Sequence, residues 1–510
     1  MLLKITKPVD DILNKITMYR LVLYVLIAYW IYALALSFFH FLPFTPITFL
    51  ITSTIILTTC WITNFLLAKI FNVVTNLESV YISTFILIFI ITPAITISNY
   101  IFLIFACIFA IASKYILVIN KEHIFNPVAV AVVITAILSI GSASWWIGSA
   151  NMLPLVLLLG LLLLRKIQKE DLVISFLVSS VFVISLFTFL NRFDVLSTIY
   201  KLVLDTPILF FALIMLTEPQ TMPPIRNLRI YYGVLIGILF SSQIHIGNFY
   251  ITPEISLVIG NIFSFIVSPR EKLILTLKEK IKLAPDIYDF IFGWNKKSYF
   301  NPGQYLEWTL GYNNPDSRGN RRYFTIASSP SEDTIKIGVK FYPNSSGFKK
   351  KLLSLPRGDK ILAGNLSGDF TMPKDENKKL VFIAGGIGIT PFRSMIKYLL
   401  DKNEKRNIVI FYSNKKEEDI VYKDILDQGL EELGIKTIYN LTEIENVSKS
   451  WKGKIGRLDS QMITKEVPDY KERVFYLSGP HAMVKGFEDV LNTIGISKDK
   501  VKKDFFPGYA

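Results

Sequence analysis

The sequence predicts three domains in series: a polytopic α-helical membrane bundle, a small antiparallel β-barrel, and an α/β domain built on a parallel sheet. Three observations carry this reading. Up to about residue 269 the 510-residue chain is a succession of apolar runs, and beyond that point it has the composition of an ordinary water-soluble protein. From residue 270 to about 373, short stretches alternate apolar and polar residues with the period of a strand. From about 374 to 510, strand-like and helix-like stretches alternate, which implies parallel strands joined by helices.

Charge follows the same division. The first 269 residues hold 14 Lys and Arg against 10 Asp and Glu, and the remainder holds 41 against 31. The net charge of +14 therefore sits mostly on the soluble part. A basic surface there suits anionic lipid or a dinucleotide. Nucleic-acid binding is not expected, because no basic-aromatic recognition module is present. The two cysteines, Cys60 and Cys107, both lie within apolar runs and read as core residues. Two thiols cannot hold a four-cysteine iron–sulfur cluster, and they imply no disulfide framework. Lys4, Lys7, Lys15 and Arg20 precede a long apolar run without a small-residue cleavage site, so no cleavable signal is expected.

The membrane part holds about ten apolar runs, near 19–41, 46–68, 79–97, 99–119, 126–142, 151–165, 172–191, 205–217, 230–247 and 252–268. Those at 126, 151 and 205 fall short of the ~20 residues a straight span needs, and read as short, tilted or broken. Lys and Arg occupy alternate connections: the N-terminus, Lys69, Lys114 with Lys121, Arg165 to Lys169, Arg226 with Arg229, and Arg270 with Lys272. Arg192 and Lys201 are the exception, offset by Asp194 and Asp205. The positive-inside rule then gives a multi-pass protein of the cytoplasmic membrane, with both termini and the soluble half in the cytoplasm. Transmembrane heme needs facing axial histidines. His40, His123 and His245 are scattered one to a segment, so no heme and no metal site are expected. Two motifs punctuate the helices: His123-Ile124-Phe125-Asn126-Pro127 and Leu216-Thr217-Glu218-Pro219-Gln220-Thr221-Met222-Pro223. A proline beside a polar residue at a helix end leaves backbone groups for a partner or a ligand. Two capped turns or a ligand site both satisfy this pattern.

In the soluble part, 272–281 and 287–294 read as strands, and Pro302-Gly303-Gln304 turns into the aromatic strand Tyr305–Trp308. Next comes Arg321-Arg322-Tyr323-Phe324-Thr325. A guanidinium, an aromatic ring and a hydroxyl in this order suit a flavin dinucleotide: Arg322 for the pyrophosphate, Phe324 for the isoalloxazine face, Thr325 for the ring edge. Ser345-Ser346-Gly347 opens a helix whose hydroxyls and N–H groups suit the same pyrophosphate. The strand Leu380–Ala384 enters Gly385-Gly386-Ile387-Gly388-Ile389-Thr390-Pro391 and then a helix, the arrangement that lets backbone approach a dinucleotide. After the strand 408–412, Ser413-Asn414-Lys415-Lys416 suits a 2′-phosphate or a solvated turn, leaving NADH or NADPH open. The strand Val474–Leu477 ends in Ser478-Gly479-Pro480-His481-Ala482-Met483, and the chain closes on Asp504-Phe505-Phe506-Pro507-Gly508-Tyr509.

Five of these motifs, in this order over residues 270–510, resemble the ferredoxin–NADP reductase superfamily. Arg322-Tyr323-Phe324-Thr325 is similar to its flavin signature. Pro302-Gly303-Gln304 is similar to its barrel corner, and Ser478-Gly479-Pro480 to its Cys-Gly-Pro motif beside the nicotinamide, with serine for cysteine. The resemblance implies FAD, cytoplasmic NAD(P)H, a role for Thr325 and Ser478 in hydride transfer, and Phe506 or Tyr509 over the flavin face. Residues 20–268 resemble the D subunit of the Rnf complex and the B subunit of the sodium-translocating NADH:quinone reductase, on the strength of the His-Ile-Phe-Asn-Pro and Leu-Thr-Glu-Pro motifs. That resemblance implies two inverted five-helix repeats and a flavin in the membrane, FMN or riboflavin, near Asn126, Thr217 and Glu218. The family's Ser-Gly-Ala-Thr attachment tetrapeptide does not occur, so that flavin is expected to be held without a covalent bond. The function implied is electron transfer from NAD(P)H through FAD into the membrane, to a quinone or an acceptor beyond it. Redox-driven Na⁺ or H⁺ translocation, and a reductase merely anchored to the bilayer, are the alternatives.

Overall fold

The structure is a computed structural model that describes residues 9, 12–13, 16–73, 77–119, 122–241, 244–247, 249–268, 271–294, 297–312, 319–443 and 447–504. Its contacts divide the chain into two compact units, one up to Glu271 and one from Lys272 onward.

The first unit is helical: α1 (Met18–Phe38), α2 (Pro46–Phe71), α3 (Leu77–Ile90), α4 (Ile97–Ile116), α5 (Pro127–Ile137), α6 (Leu153–Ile167), α7 (Glu170–Leu190), α8 (Val195–Leu204), α9 (Ile208–Phe210, continued as a π-turn Phe211–Met215), α10 (Arg226–Leu239) and α11 (Pro253–Val267). Against the ten spans read from the apolar runs, four helices among the described residues are long and apolar enough to cross a bilayer: α1, α2, α4 and α7. A fifth joins them if α8 and α9, bent by 62° at their break, count as one span. The difference has a physical cause. The helices Leu77–Ile90, Pro127–Ile137, Leu153–Ile167, Arg226–Leu239 and Pro253–Val267 hold only 14, 11, 15, 14 and 15 residues, and Pro207 lies between α8 and α9. Helices of about 15 residues rise only ~22 Å, short of the ~30 Å of hydrocarbon.

Packing in this unit repeats. Within the first half α1 meets α3, α2 meets α4, and α4 meets α5; within the second α6 meets α9, α7 meets α10, and α10 meets α11. The halves touch through equivalent elements, α1 against α6 and α5 against α11. Both α5 and α11 follow a two-residue β-hairpin and begin with proline, after Asn126 and Thr252 respectively. The contact of α7 with α10 is close because α10 offers Gly233 and Gly237 one turn apart. A Cβ on Gly233 would lie 2.8 Å from the Leu172 carbonyl, and one on Gly237 2.6 Å from that of Phe176. Such small-residue pairs let helices approach where apolar burial gives no preference over lipid. Arg229, one turn earlier, is tied to Asp171 of α7 at 2.9 Å.

The second unit holds two sheets. The barrel strands are β1 (Leu273–Ala284), β2 (Ile287–Trp294), β3 (Tyr305–Thr309), β4 (Arg321–Thr325), β5 (Ile335–Lys340) and β6 (Lys360–Ser367), in the antiparallel order β4-β3-β6-β1-β2-β5. Trp308, Phe290 and Phe292 fill its core, alternating with outward residues along each strand. The helix α12 (Gly347–Ser354) lies on this core through Phe348 and Leu352. The parallel sheet follows: β7 (Leu380–Gly385), α13 (Thr390–Lys402), β8 (Ile408–Asn414), α14 (Lys423–Leu433), β9 (Lys436–Leu441), β10 (Lys454–Ile455), α15 (Ser460–Glu466), β11 (Val474–Ser478), α16 (His481–Thr493) and β12 (Val501–Lys503). Its order is β10-β9-β8-β7-β11-β12. The Pro-Gly-Gln corner joins the two layers: Gln304 accepts from the Asn301 N–H at 2.8 Å, and Gly303, at φ +94, lies against the Phe370 carbonyl and Met395 of α13.

Replacing Gly303 by alanine adds a methyl group where backbone and Met395 already sit, at a backbone angle L-residues avoid. Gly303→Ala is expected to cost about 1–3 kcal/mol, read as a lower Tm of the purified protein.

Candidate active site

The site begins with the order of the parallel strands. The chain runs outward from β7 to β8 and β9, then returns to lay β11 on the other side of β7. Ligands of open α/β sheets bind beyond the carboxyl ends of the strands at such a reversal. Here Ala384 pairs with Ser478, so Gly385 and Gly479 leave the sheet side by side. Both ends are stripped of side chains. A Cβ on Gly388 would lie 2.6 Å from the Gly479 nitrogen, and one on Gly479 would lie 2.5 Å from Met483 Cε and 3.2 Å from the Gly385 nitrogen. Gly385 sits against Met483 and Pro480. Gly386 alone has φ +54 and open space where its Cβ would be, which exposes backbone at the turn. Pro391 occupies the first turn of α13, where a missing N–H is no loss, and the Thr390 hydroxyl donates to the Ile387 carbonyl at 3.2 Å.

Strand β4 presents two faces. On one, buried Arg322 places its guanidinium 5.4 Å from the centre of the Phe348 ring and donates to the carbonyls of Gly319 (3.1 Å) and Arg321 (2.6 Å). Phe324, two residues on, also faces Phe348, at 6.0 Å. Arg322 and Phe324 thus converge on the start of α12. On the other face the Tyr323 hydroxyl donates to Glu307 at 2.7 Å, and Glu307 also pairs with Arg321 at 3.2 Å. The serines before α12 are engaged locally: Ser345 exchanges hydrogen bonds with Tyr342, and Ser346 caps the helix by accepting from the Lys349 N–H at 3.3 Å. Their hydroxyls serve the turn and the cap at the helix start, next to Phe348, on which Arg322 and Phe324 converge.

Thr325 ends β4 and Ser478 ends β11, and one carboxylate joins them. Asp504 accepts from the Ser478 hydroxyl at 3.1 Å and from the Thr325 hydroxyl at 3.4 Å, while its own N–H donates to the Leu477 carbonyl at 2.9 Å. Burial pushes the Asp504 carboxyl up to about 7, with the two hydroxyls pulling in the opposite direction. A group poised there can hold or release a proton at neutral pH. The sequence marks Asp504 only as part of a terminal acidic-aromatic segment. The available signal is its place beside β12, which pairs with β11. Phe506 and Tyr509 lie outside the described residues.

In the helical unit the two punctuating motifs meet. The Asn126 side-chain amide donates to Glu218 at 2.8 Å, the Thr221 hydroxyl reaches the same carboxylate at 3.3 Å, and His123 Nε2 lies 3.8 Å from it. The Asn126 side-chain oxygen caps α5, and its backbone N–H donates to Asn261 of α11 at 2.8 Å. Thr217 turns back onto its own helix, donating to the Leu213 carbonyl at 3.0 Å. Beside this cluster a shallow cleft is lined by Glu122, His123, Thr221, Asn261, Ser264 and Phe265, among others. Among the described residues no cluster of His, Cys, Asp and Glu is arranged to hold a metal ion.

Residues 382–489 match the model of the oxidoreductase NAD-binding domain family. The stachydrine N-demethylase reductase subunit of Rhizobium meliloti is 28% identical over 233 residues, 44% of this chain and 65% of that protein. A flavohemoprotein of Bacillus cereus is 26% identical over 227 residues, 41% of this chain and 54% of that protein. A solved cytochrome P450 reductase of Amycolatopsis aligns with 47% of this chain and 70% of its own, at 22% identity and a TM-score of 0.42. The chain spans about half to two thirds of the length of the curated relatives it matches. Its C-terminal part thus carries an oxidoreductase NAD-binding domain over residues 382–489.

The Asp504 carboxyl binds its proton more tightly folded than unfolded, where the ordinary value is near 3.8. Its favourable contribution is therefore complete below that value and is lost as pH rises through about 7. Asp504→Asn is expected to flatten the fall of Tm between mildly acidic and mildly alkaline buffer; an unchanged slope would remove Asp504 as the titrating group.

Proposed function

We propose that this protein is a membrane flavoprotein oxidoreductase that takes electrons from cytoplasmic NAD(P)H through FAD and passes them into the membrane. The observation that carries the reading is the single carboxylate of Asp504 holding Thr325 of the flavin-type strand and Ser478 of the nicotinamide-type turn within 3.4 and 3.1 Å. Two sites that would have to exchange a hydride are thereby brought to one point.

The chain fits both ligands on its own geometry. The turn after β7 leaves open backbone at Gly386 to face a dinucleotide, with the start of α13 supplying the positive end of a helix dipole. Arg322 and the start of α12 converge as a pyrophosphate clamp needs, and Phe324 stands beside them as an aromatic wall. Bound FAD would supply the exchange between hydride transfer and single-electron release. Gly385, Gly388 and Gly479 let the ends of β7 and β11 pack closely, and open backbone at Gly386 is where the dinucleotide would approach. The Ser478 and Thr325 hydroxyls would orient the two reacting edges, and Asp504 would hold or release a proton beside them. Ser413, Asn414, Lys415 and Lys416, at the end of β8, would meet the adenosine end of either NADH or NADPH.

For the helical unit we infer a ten-span bundle of two inverted five-helix repeats in the cytoplasmic membrane, supported by the repeated packing of its halves. The Asn126–Glu218 cluster and its adjoining cleft are the place where it would meet a redox ring: a non-covalent FMN or riboflavin, or a quinone headgroup.

Flavin released by acid from the purified full-length protein tests this directly. FAD together with FMN or riboflavin supports a relay within the membrane; FAD alone supports delivery straight to a quinone or other acceptor; no flavin overturns the reading. Arg322→Ala should lose FAD. Gly388→Ala should keep FAD but lose its reduction by NAD(P)H in anaerobic titration, because the added methyl group occupies backbone space at Ser478 and Gly479. Full reduction in both variants would refute the site.

A further inference from the structure

The barrel wall has a notch. Asp289 of β2 stands opposite Gly338 of β5, so at this pair one strand offers a short carboxylate and the other no side chain. Three side chains of the α/β layer fill the gap. A Cβ on Gly338 would lie 2.5 Å from the Tyr422 hydroxyl, 2.9 Å from Thr390 Cγ2 and 3.1 Å from Ile387 Cδ1. Ile387 and Thr390 belong to the glycine turn itself. Tyr422, just before α14, donates its hydroxyl to Asp289, and both residues are buried. It does so from φ +58, a backbone region a bulky residue rarely takes up without reason.

A second contact holds the same two layers. Arg393 of α13 pairs with Glu332 and donates to the Ala327 carbonyl at 3.0 Å, and its neighbour Ser394 donates to the Ser328 carbonyl at 2.6 Å. Ala327 and Ser328 follow Thr325 by two and three residues. The Arg393 guanidinium also lies 5.9 Å from the Tyr422 ring centre. The glycine turn is thus seated in the barrel at one end, and its helix is fastened to the continuation of the flavin-type strand at the other.

We propose that Tyr422, Asp289 and Gly338 are positioning residues that set the distance between the nicotinamide turn and the flavin strand. None of them lies at the Thr325–Asp504–Ser478 contact, and all act through the seating of the turn. The inference rests on the proposed NAD(P)H-to-FAD reaction. It follows from the steep dependence of reaction rate on approach, where a misplacement of about 1 Å costs roughly a hundredfold.

The test is rapid-mixing reduction of the full-length protein by NADH and NADPH, with FAD content and the nicotinamide–flavin charge-transfer absorbance measured alongside. Tyr422→Phe and Gly338→Ala should retain FAD, slow flavin reduction by about tenfold or more, and weaken the charge-transfer band. Asp289→Asn still accepts the Tyr422 hydrogen bond and should stay within about twofold of the parent. Parental rates and an undiminished band in the first two variants would overturn the proposal. So would loss of FAD from all three, which marks a purely structural contact. If the unmodified protein takes up no FAD, or none that NAD(P)H reduces, the proposed function fails instead.

Discussion

The soluble half depends on the closeness of two strand ends. Ala384 and Ser478 are paired, and nothing beyond them separates the chains except hydrogen atoms on Gly385, Gly388 and Gly479. Any side chain at Gly388 would push against the backbone of the returning strand. That one steric requirement keeps β7 and β11 adjacent at their carboxyl ends and opens backbone to a ligand. It also brings β12, and with it Asp504, alongside Ser478.

The same economy of volume recurs at the other contacts that matter. Gly338 gives up a side chain so that Tyr422, Thr390 and Ile387 can enter the barrel wall, and Gly303 does so for Phe370 and Met395. In the helical unit Gly233 and Gly237 let α10 lie on the backbone of α7. Polar groups then fix what the glycines admit: Tyr422 on Asp289, Arg393 on Glu332, Arg229 on Asp171. Buried pairs of this kind hold a chosen geometry more than they add stability, since removing either partner leaves an uncompensated charge or hydroxyl.

Much of the soluble fold is readable because its signals are local. Period-two alternation marks β1 and β2 within a few residues, and the strand–glycine–helix order marks β7 and α13. The helical unit is read less well. Apolar runs count segments of sequence, whereas helix length depends on where the backbone breaks, as between α8 and α9 at Pro207. The hydroxyls of Ser345 and Ser346 suggest a ligand from sequence, and in the structure they also serve a turn and a helix cap.

What the sequence determined by itself is the order of the parts: apolar helices first, then a barrel with Arg322-Tyr323-Phe324-Thr325 on a strand, then a glycine turn and Ser478-Gly479-Pro480 on a parallel sheet. These are properties of neighbours along the chain, fixed by backbone preference and hydrophobic period. The tertiary structure alone decided which distant residues share a site. Thr325 and Asp504 are 179 positions apart, Asn126 and Glu218 are 92, and Asp289 and Tyr422 are 133. Such pairs form because packing brings their elements together, and a buried carboxylate then takes whichever donors the packing has placed within reach.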